Sequence, residues 1–144
     1  MDLIVSILIF VTFAYGLGDG LPLTALWFPL LLAIEIAFVI GVVLFGSALN
    51  VFARDVRLAV PLLVQLWLFL TPVMYPLSSV PTRMRAWYLL NPMTGLVESF
   101  RGILVYGLPP DLGLLSPAIV GALTVLVIGT SYFRATEPRF ADVV

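Results

Sequence analysis

The chain has 144 residues, 62% of them hydrophobic and 10% charged, with a mean hydropathy of +1.16; a soluble domain is about half apolar and about a quarter charged, and cannot cover so much apolar surface. A net charge of -1 leaves no basic patch to hold nucleic acid. The lack of cysteine excludes disulfides, thiol nucleophiles and thiolate metal sites, and the lack of histidine removes the commonest general base and metal ligand.

Lipid is therefore the expected solvent. The expected fold class is all-α integral membrane: about four transmembrane helices, plus an interfacial or re-entrant amphipathic helical segment (77–108) between the last two. The whole of 1–144 is read as a single transmembrane domain. A span of the hydrocarbon core takes about 20 mostly apolar residues.

The first candidate span, 3–17, follows Met1-Asp2-Leu3 with no positive charge before it and no small-residue cleavage site after it, so it reads as a helix and not a signal peptide. It would cover only about 22 Å, and its beginning is expected to lie upstream. The second span, 23–49, contains Pro29, expected to kink it, and Gly41 and Gly46, small surfaces for a neighbouring helix. Glu35 lies inside it. A carboxylate at that depth is expected to face protein or water.

A polar break, Asn50 to Arg57, leads to the third span, 58–75. Pro61 is expected in its first turn, where a missing N–H costs little, and Pro72 and Pro76 mark its end. Gln65 suits an interhelical hydrogen bond. Trp67 and Phe69, with Glu35, are the candidates for lining a channel, against the plainer reading that aromatics in spans face lipid. The last span is 112–133, with Pro117 near its start and a polar tail from Arg134 to Val144.

The stretch between the last two spans is too polar to cross and too apolar for a free loop. Asn91-Pro92 reads as a helix cap followed by proline at the first helical position. Met93, Leu96, Val97, Phe100, Ile103 and Leu104 then recur at helical spacing, with Thr94, Glu98 and Arg101 opposite. Glu98 and Arg101 are three apart, so a local pair on a solvated face is expected. Trp87 and Tyr88 suit the interfacial aromatic belt. A helix that dips in and returns is tolerated only against protein or a water-filled cavity. Counting four spans puts Arg54, Arg57, Arg134 and Arg139 on one side and Arg83, Arg85 and Arg101 on the other, a small bias under the positive-inside rule.

Four blocks, Leu49 to Val56, Leu70 to Pro76, Leu90 to Gly102 and Glu137 to Val144, together resemble ABC-2 type transporter permeases, the polysaccharide and teichoic-acid exporter branch in particular. Leu49-Asn50-Val51-Phe52-Ala53-Arg54-Asp55-Val56 resembles the loop after their fourth span. Leu70-Thr71-Pro72-Val73-Met74-Tyr75-Pro76 is similar to the end of their fifth. Leu90-Asn91-Pro92-Met93, continuing to Glu98-Ser99-Phe100-Arg101-Gly102, looks like their outer gate helix. Glu137 to Val144 resembles their cytoplasmic terminus. In this order and spacing the blocks cover nearly the whole chain.

The resemblance implies a six-span half-transporter, present as a homodimer around a central channel in the bacterial cytoplasmic (inner) membrane. It would move lipid-linked glycan with a separate nucleotide-binding ATPase subunit. It also implies that the Arg54 loop and the carboxy terminus are cytoplasmic and the Asn91 helix outside. By the same resemblance, Asn50, Arg54, Asp55 and Arg57 would couple to the ATPase, snorkelling charge being the alternative for Arg57. Tyr75, Pro76, Asn91, Pro92 and Met93 would form the outer gate. No P-loop pattern occurs, so no cofactor is expected on this chain, and ATP and magnesium belong to the partner. Relatives begin with an amphipathic segment, two further spans and a first coupling helix, and this chain matches roughly their last four spans. Two alternatives stand beside transport: a membrane-embedded enzyme on lipid-linked sugars, which would need clustered acids where Asp19 and Asp111 stand singly, and an inactive truncated permease.

Overall fold

The computed structural model describes residues 23–52 and 56–140. The expected span at 3–17, Arg54, Asp55, the side chain of Arg57 and the last four residues of the tail lie outside the described residues. Among those described, every regular element is a helix. There are five: α1 (Phe28–Phe52), α2 (Val56–Leu70), α3 (Thr82–Leu89), α4 (Pro92–Val105) and α5 (Leu112–Thr136).

Two are long and apolar enough to cross a membrane: α1 with the 3-10 turn Leu23–Trp27 that leads into it, and α5. At 25 residues each they measure about 37 Å, against a hydrocarbon core of about 30 Å. Only 17% and 22% of their apolar stretches are buried within the chain, where a soluble protein's core helix is mostly covered. Pro29 falls second in α1. There, directly after the 3-10 turn, a missing N–H costs little. Asp111 caps α5, its Oδ1 accepting the Gly113 N–H at 2.8 Å.

The two long helices run parallel. Leu31 of α1 packs with Leu115 and Ala118 of α5, and further along the Phe45 ring lies 5.2 Å from that of Tyr132. Between these points the backbones almost touch: a Cβ on Gly129 would fall 2.1 Å from the Gly41 carbonyl oxygen. In lipid no hydrophobic force draws helices together, so close backbone approach at small residues supplies the contact. Gly46 does not take part, since a Cβ there meets nothing within 4 Å. The parallel run brings the last turn of α1, before the Arg54 loop, to the same end as Arg134.

α2 differs from its expected course. It stops at Leu70 instead of Tyr75, because Pro72 has no N–H to give the Leu68 carbonyl. Beginning at Val56, it carries Pro61 in its second turn. Leu58 to Leu70 are exposed throughout, Gln65 included, and Gln65 bonds no neighbouring helix among the described residues. α2 meets α1 where Trp67 lies beside Phe38, ring centroids 6.2 Å apart.

The amphipathic segment forms a hairpin, α3 then α4, and α4 docks against protein. Leu96 and Ile103 join Leu31, Leu115 and Ala118 in one buried cluster. Phe100 meets Phe28 edge-on at 5.4 Å, and the Thr24 hydroxyl donates to the Ile103 carbonyl at 3.3 Å. α4 runs antiparallel to the first half of α5. Pro92 sits on Gly121, where an added Cβ would lie 2.5 Å from Pro92 Cγ, and Gly95 sits against Leu114 and Ala118. Gly121 is nine residues past Leu112, so the hairpin tip reaches about 14 Å down α5. At the other end Gly107, at φ 63°, closes α4, and the Leu108 N–H returns to the Gly102 carbonyl at 3.0 Å. The buried face is Pro92, Thr94, Gly95, Leu96, Ser99 and Ile103. Thr94, expected on a solvated face, is fully buried.

Candidate functional site

The functional region builds up from the way α2 ends. Its break at Pro72 leaves carbonyls with no helical donor. The Thr71 N–H still reaches the Trp67 carbonyl at 3.0 Å, and that of Val73 turns back to Thr71 at 2.7 Å, but the Pro72 and Val73 carbonyls point away. Arg101 of α4 supplies them: its Nη2 donates to Pro72 O at 3.0 Å and to Val73 O at 2.9 Å. Glu98, three residues earlier, pairs with Arg101 Nη1 and accepts the Leu77 N–H at 2.6 Å. That N–H opens the 3-10 turn Leu77–Ser79 and has no other helical partner.

Asn91 acts at both ends of its amide. Oδ1 accepts the Met93 N–H at 3.1 Å, which caps α4, and Nδ2 donates to the buried Thr71 hydroxyl at 2.9 Å. Tyr75 bonds the Phe69 carbonyl at 3.3 Å and the Tyr88 hydroxyl at 3.0 Å. The Tyr88 bond, with lesser help from burial, raises the Tyr75 phenol above its ordinary range. Arg85 ties the turn before α3 by donating to Val80 O at 2.9 Å and Ser78 O at 2.8 Å.

The Glu98–Arg101 pair is no surface bridge. Their side chains are only 15% and 17% exposed, and every bond they make satisfies a backbone group or each other. A pair in such a place contributes little over an apolar substitute, yet removing one partner costs about 3–5 kcal/mol because it strands a charge.

Three gate candidates converge here. Tyr75 and Asn91 belong to the network, with Pro76 beside Tyr75. Pro92 instead is buried on α5, and Met93 packs against the apolar cluster. The Trp67 and Phe69 side chains are exposed on α2, and Glu35 is partly covered on α1; of Trp67 and Phe69 only the backbone carbonyls meet this network. Asn50 is exposed in the last turn of α1. Sequence reasoning missed Glu98, Arg101 and Thr71. The spacing of three revealed the ion pair, but its backbone partners, the accepting carbonyls of Pro72 and Val73 and the donating N–H of Leu77, stand 21 to 29 positions away. Among the described residues no three acids come together in a way that would hold a metal.

Outward-facing apolar helices, with a hairpin held against them by small residues and a polar clip, define a polytopic membrane protein. The chain belongs to the ABC-2 type transporter family, whose profile matches residues 1–105, a range that takes in the blocks at 49–56, 70–76 and 90–102. It is 31% identical over 117 residues to the O-antigen export system permease protein RfbA of Myxococcus xanthus, covering 80% of this chain and 45% of that one. Two proteins of the same description from Klebsiella pneumoniae are 26% and 24% identical over 140 residues, 96% of this chain and 53% of theirs. The chain spans about half the length of these curated relatives. No solved structure matches it.

Proposed function

We propose that this chain forms the membrane-spanning permease part of an ABC exporter that moves lipid-linked polysaccharide or a related glycan out of the cell. A separate ATPase subunit binds ATP and magnesium and supplies the work. The permease acts as a homodimer in the bacterial inner membrane with its carboxy terminus in the cytoplasm. Four spans cross: 3–17, α1, α2 and α5. The hairpin α3–α4 is re-entrant from outside and forms the outer gate with Tyr75, Pro76, Asn91, Pro92 and Met93. Trp67, Phe69 and Glu35 are the residues proposed to line the path.

The observation that carries this reading is the seat of α4. A helix whose tip stops a little over a third of the way along a 25-residue apolar neighbour, Pro92 on Gly121, is shaped to block or open a passage, not to lie on a surface. Family membership and the description of the relatives as O-antigen export permeases supply the class of cargo. A subunit with no ATPase of its own must receive work through a cytoplasmic surface. A short charged turn at Asn50, Arg54, Asp55 and Arg57 between two helices passes rigid-body motion to both.

The test is Arg54→Glu in the complete transporter. Membrane insertion and ATP hydrolysis are expected to persist while glycan export is lost. Export at the parent rate would remove the coupling role.

A further inference from the structure

We infer that Arg101, with Glu98 and Asn91, is a latch that fastens the segment after α2 to α4, so that the end of α2 and the hairpin α3–α4 move as one body. The inference deepens the proposed transport reading by assigning positioning residues to the gate.

Three observations carry it. Among the described residues α2 has no close-packed seam of the kind that joins α1 to α5 at Gly41 and Gly129; it is exposed from Leu58 to Leu70 and rests on α1 at the Trp67–Phe38 ring contact. Sideways motion of α2 therefore meets little resistance from packing along its length. At its end the situation reverses. Thr71 is held by Asn91, Pro72 and Val73 by Arg101, and Leu77 by Glu98. These three fasteners leave the segment no freedom to move without α4.

Third, the fasteners are polar bonds, to the Thr71 hydroxyl and to the backbone groups of Pro72, Val73 and Leu77, in a mostly buried place where an unmade bond strands both partners. Such a clip is made or broken as a whole, which suits transmission better than a sliding apolar contact. α4 also buries the Thr94 hydroxyl without a hydrogen-bond partner, an uncompensated cost of its seated position that the latch helps to offset.

The chain contains no cysteine, so paired spin labels report cleanly. Cysteines replacing Met74 and Val105, 86% and 68% exposed, read the separation of the segment from α4 in the lipid-reconstituted chain. A second pair at Val43 and Val127 reads α1 against α5. In the parent chain both distance distributions are expected to be narrow. Arg101→Ala is expected to broaden the first and leave the second narrow. Arg101→Lys is expected to restore it only in part, because an ammonium lacks the guanidinium fork. A first pair that stays narrow in Arg101→Ala overturns the latch. So does broadening at both pairs, which would make Arg101 a residue that merely holds the fold. None of these readings uses ATP or cargo, so they stand or fall apart from the transport assignment. In the complete transporter, Arg101→Ala is expected to keep ATP hydrolysis and lose export.

Discussion

A guanidinium that answers two backbone carbonyls and a carboxylate at once cannot be assessed one bond at a time. Arg101→Ala strands Glu98, and Glu98→Ala strands Arg101, so each is expected to destabilise by about 3–5 kcal/mol. The double variant strands neither and is expected to cost clearly less than the sum, with a coupling of about 1–3 kcal/mol. Reversible unfolding in detergent, read as a double-mutant cycle, measures it; strict additivity would show that the two side chains act independently. The glycines offer a second comparison. Gly129→Ala drives a methyl into the Gly41 carbonyl and is expected to cost about 1–3 kcal/mol. Gly46→Ala meets open space and is expected to be neutral or to stabilise by up to about 1 kcal/mol through helix propensity. Melting temperatures in that order check both. From the chain alone Gly41 and Gly46 looked alike, since each is a small residue in an apolar run. Only the neighbour across the interface separates them.

Elements were legible where the signal is local. Asn91-Pro92 announces the start of α4 because capping involves one side chain and an N–H two residues on, and the cap is found as read. Asn91→Ala is expected to cost about 1 kcal/mol, seen as roughly fivefold faster amide exchange at Met93, given that about 1.4 kcal/mol is tenfold. Asn91→Asp keeps the capping oxygen and loses the donor to Thr71, so it should protect Met93 while loosening the end of α2. An end of α2 as well protected in Asn91→Asp as in the parent would show that the amide does nothing beyond capping. On α4 the apolar residues Met93, Leu96, Phe100, Ile103 and Leu104 pack inward as their spacing implies, but Thr94 was read to the wrong side for a physical reason. Polarity marks the outside of a helix in water, but against another membrane helix small size matters more, and Thr94, Gly95 and Ser99 are small. α2 was read too long because an apolar composition continues through Val73 and Met74, whereas the hydrogen-bond ladder ends where Pro72 withholds its N–H.

At the scale of the whole molecule, composition alone located α1 and α5, since any stretch so apolar must be covered by lipid. How α2 relates to them is a matter of contacts across the chain, which no local pattern encodes. Those contacts also separate the two aromatic lining candidates. Trp67 rests beside Phe38 and so faces α1. Phe69 is two residues on, about 200° around the helix, and is 73% exposed. Under the proposed transport reading, a channel shared with a second copy would lie away from this chain's own α1, and Phe69 would then face the path with Trp67 behind it. With Trp27, Trp67 and Trp87 replaced by phenylalanine, a lone tryptophan at Phe69 is expected to be quenched by aqueous iodide in the complete transporter. Trp67 as the lone tryptophan is expected to be quenched less. Lipid carrying brominated acyl chains distinguishes the other case: if it quenches position 69 and iodide does not, α2 turns that face to the bilayer, and cargo passes elsewhere.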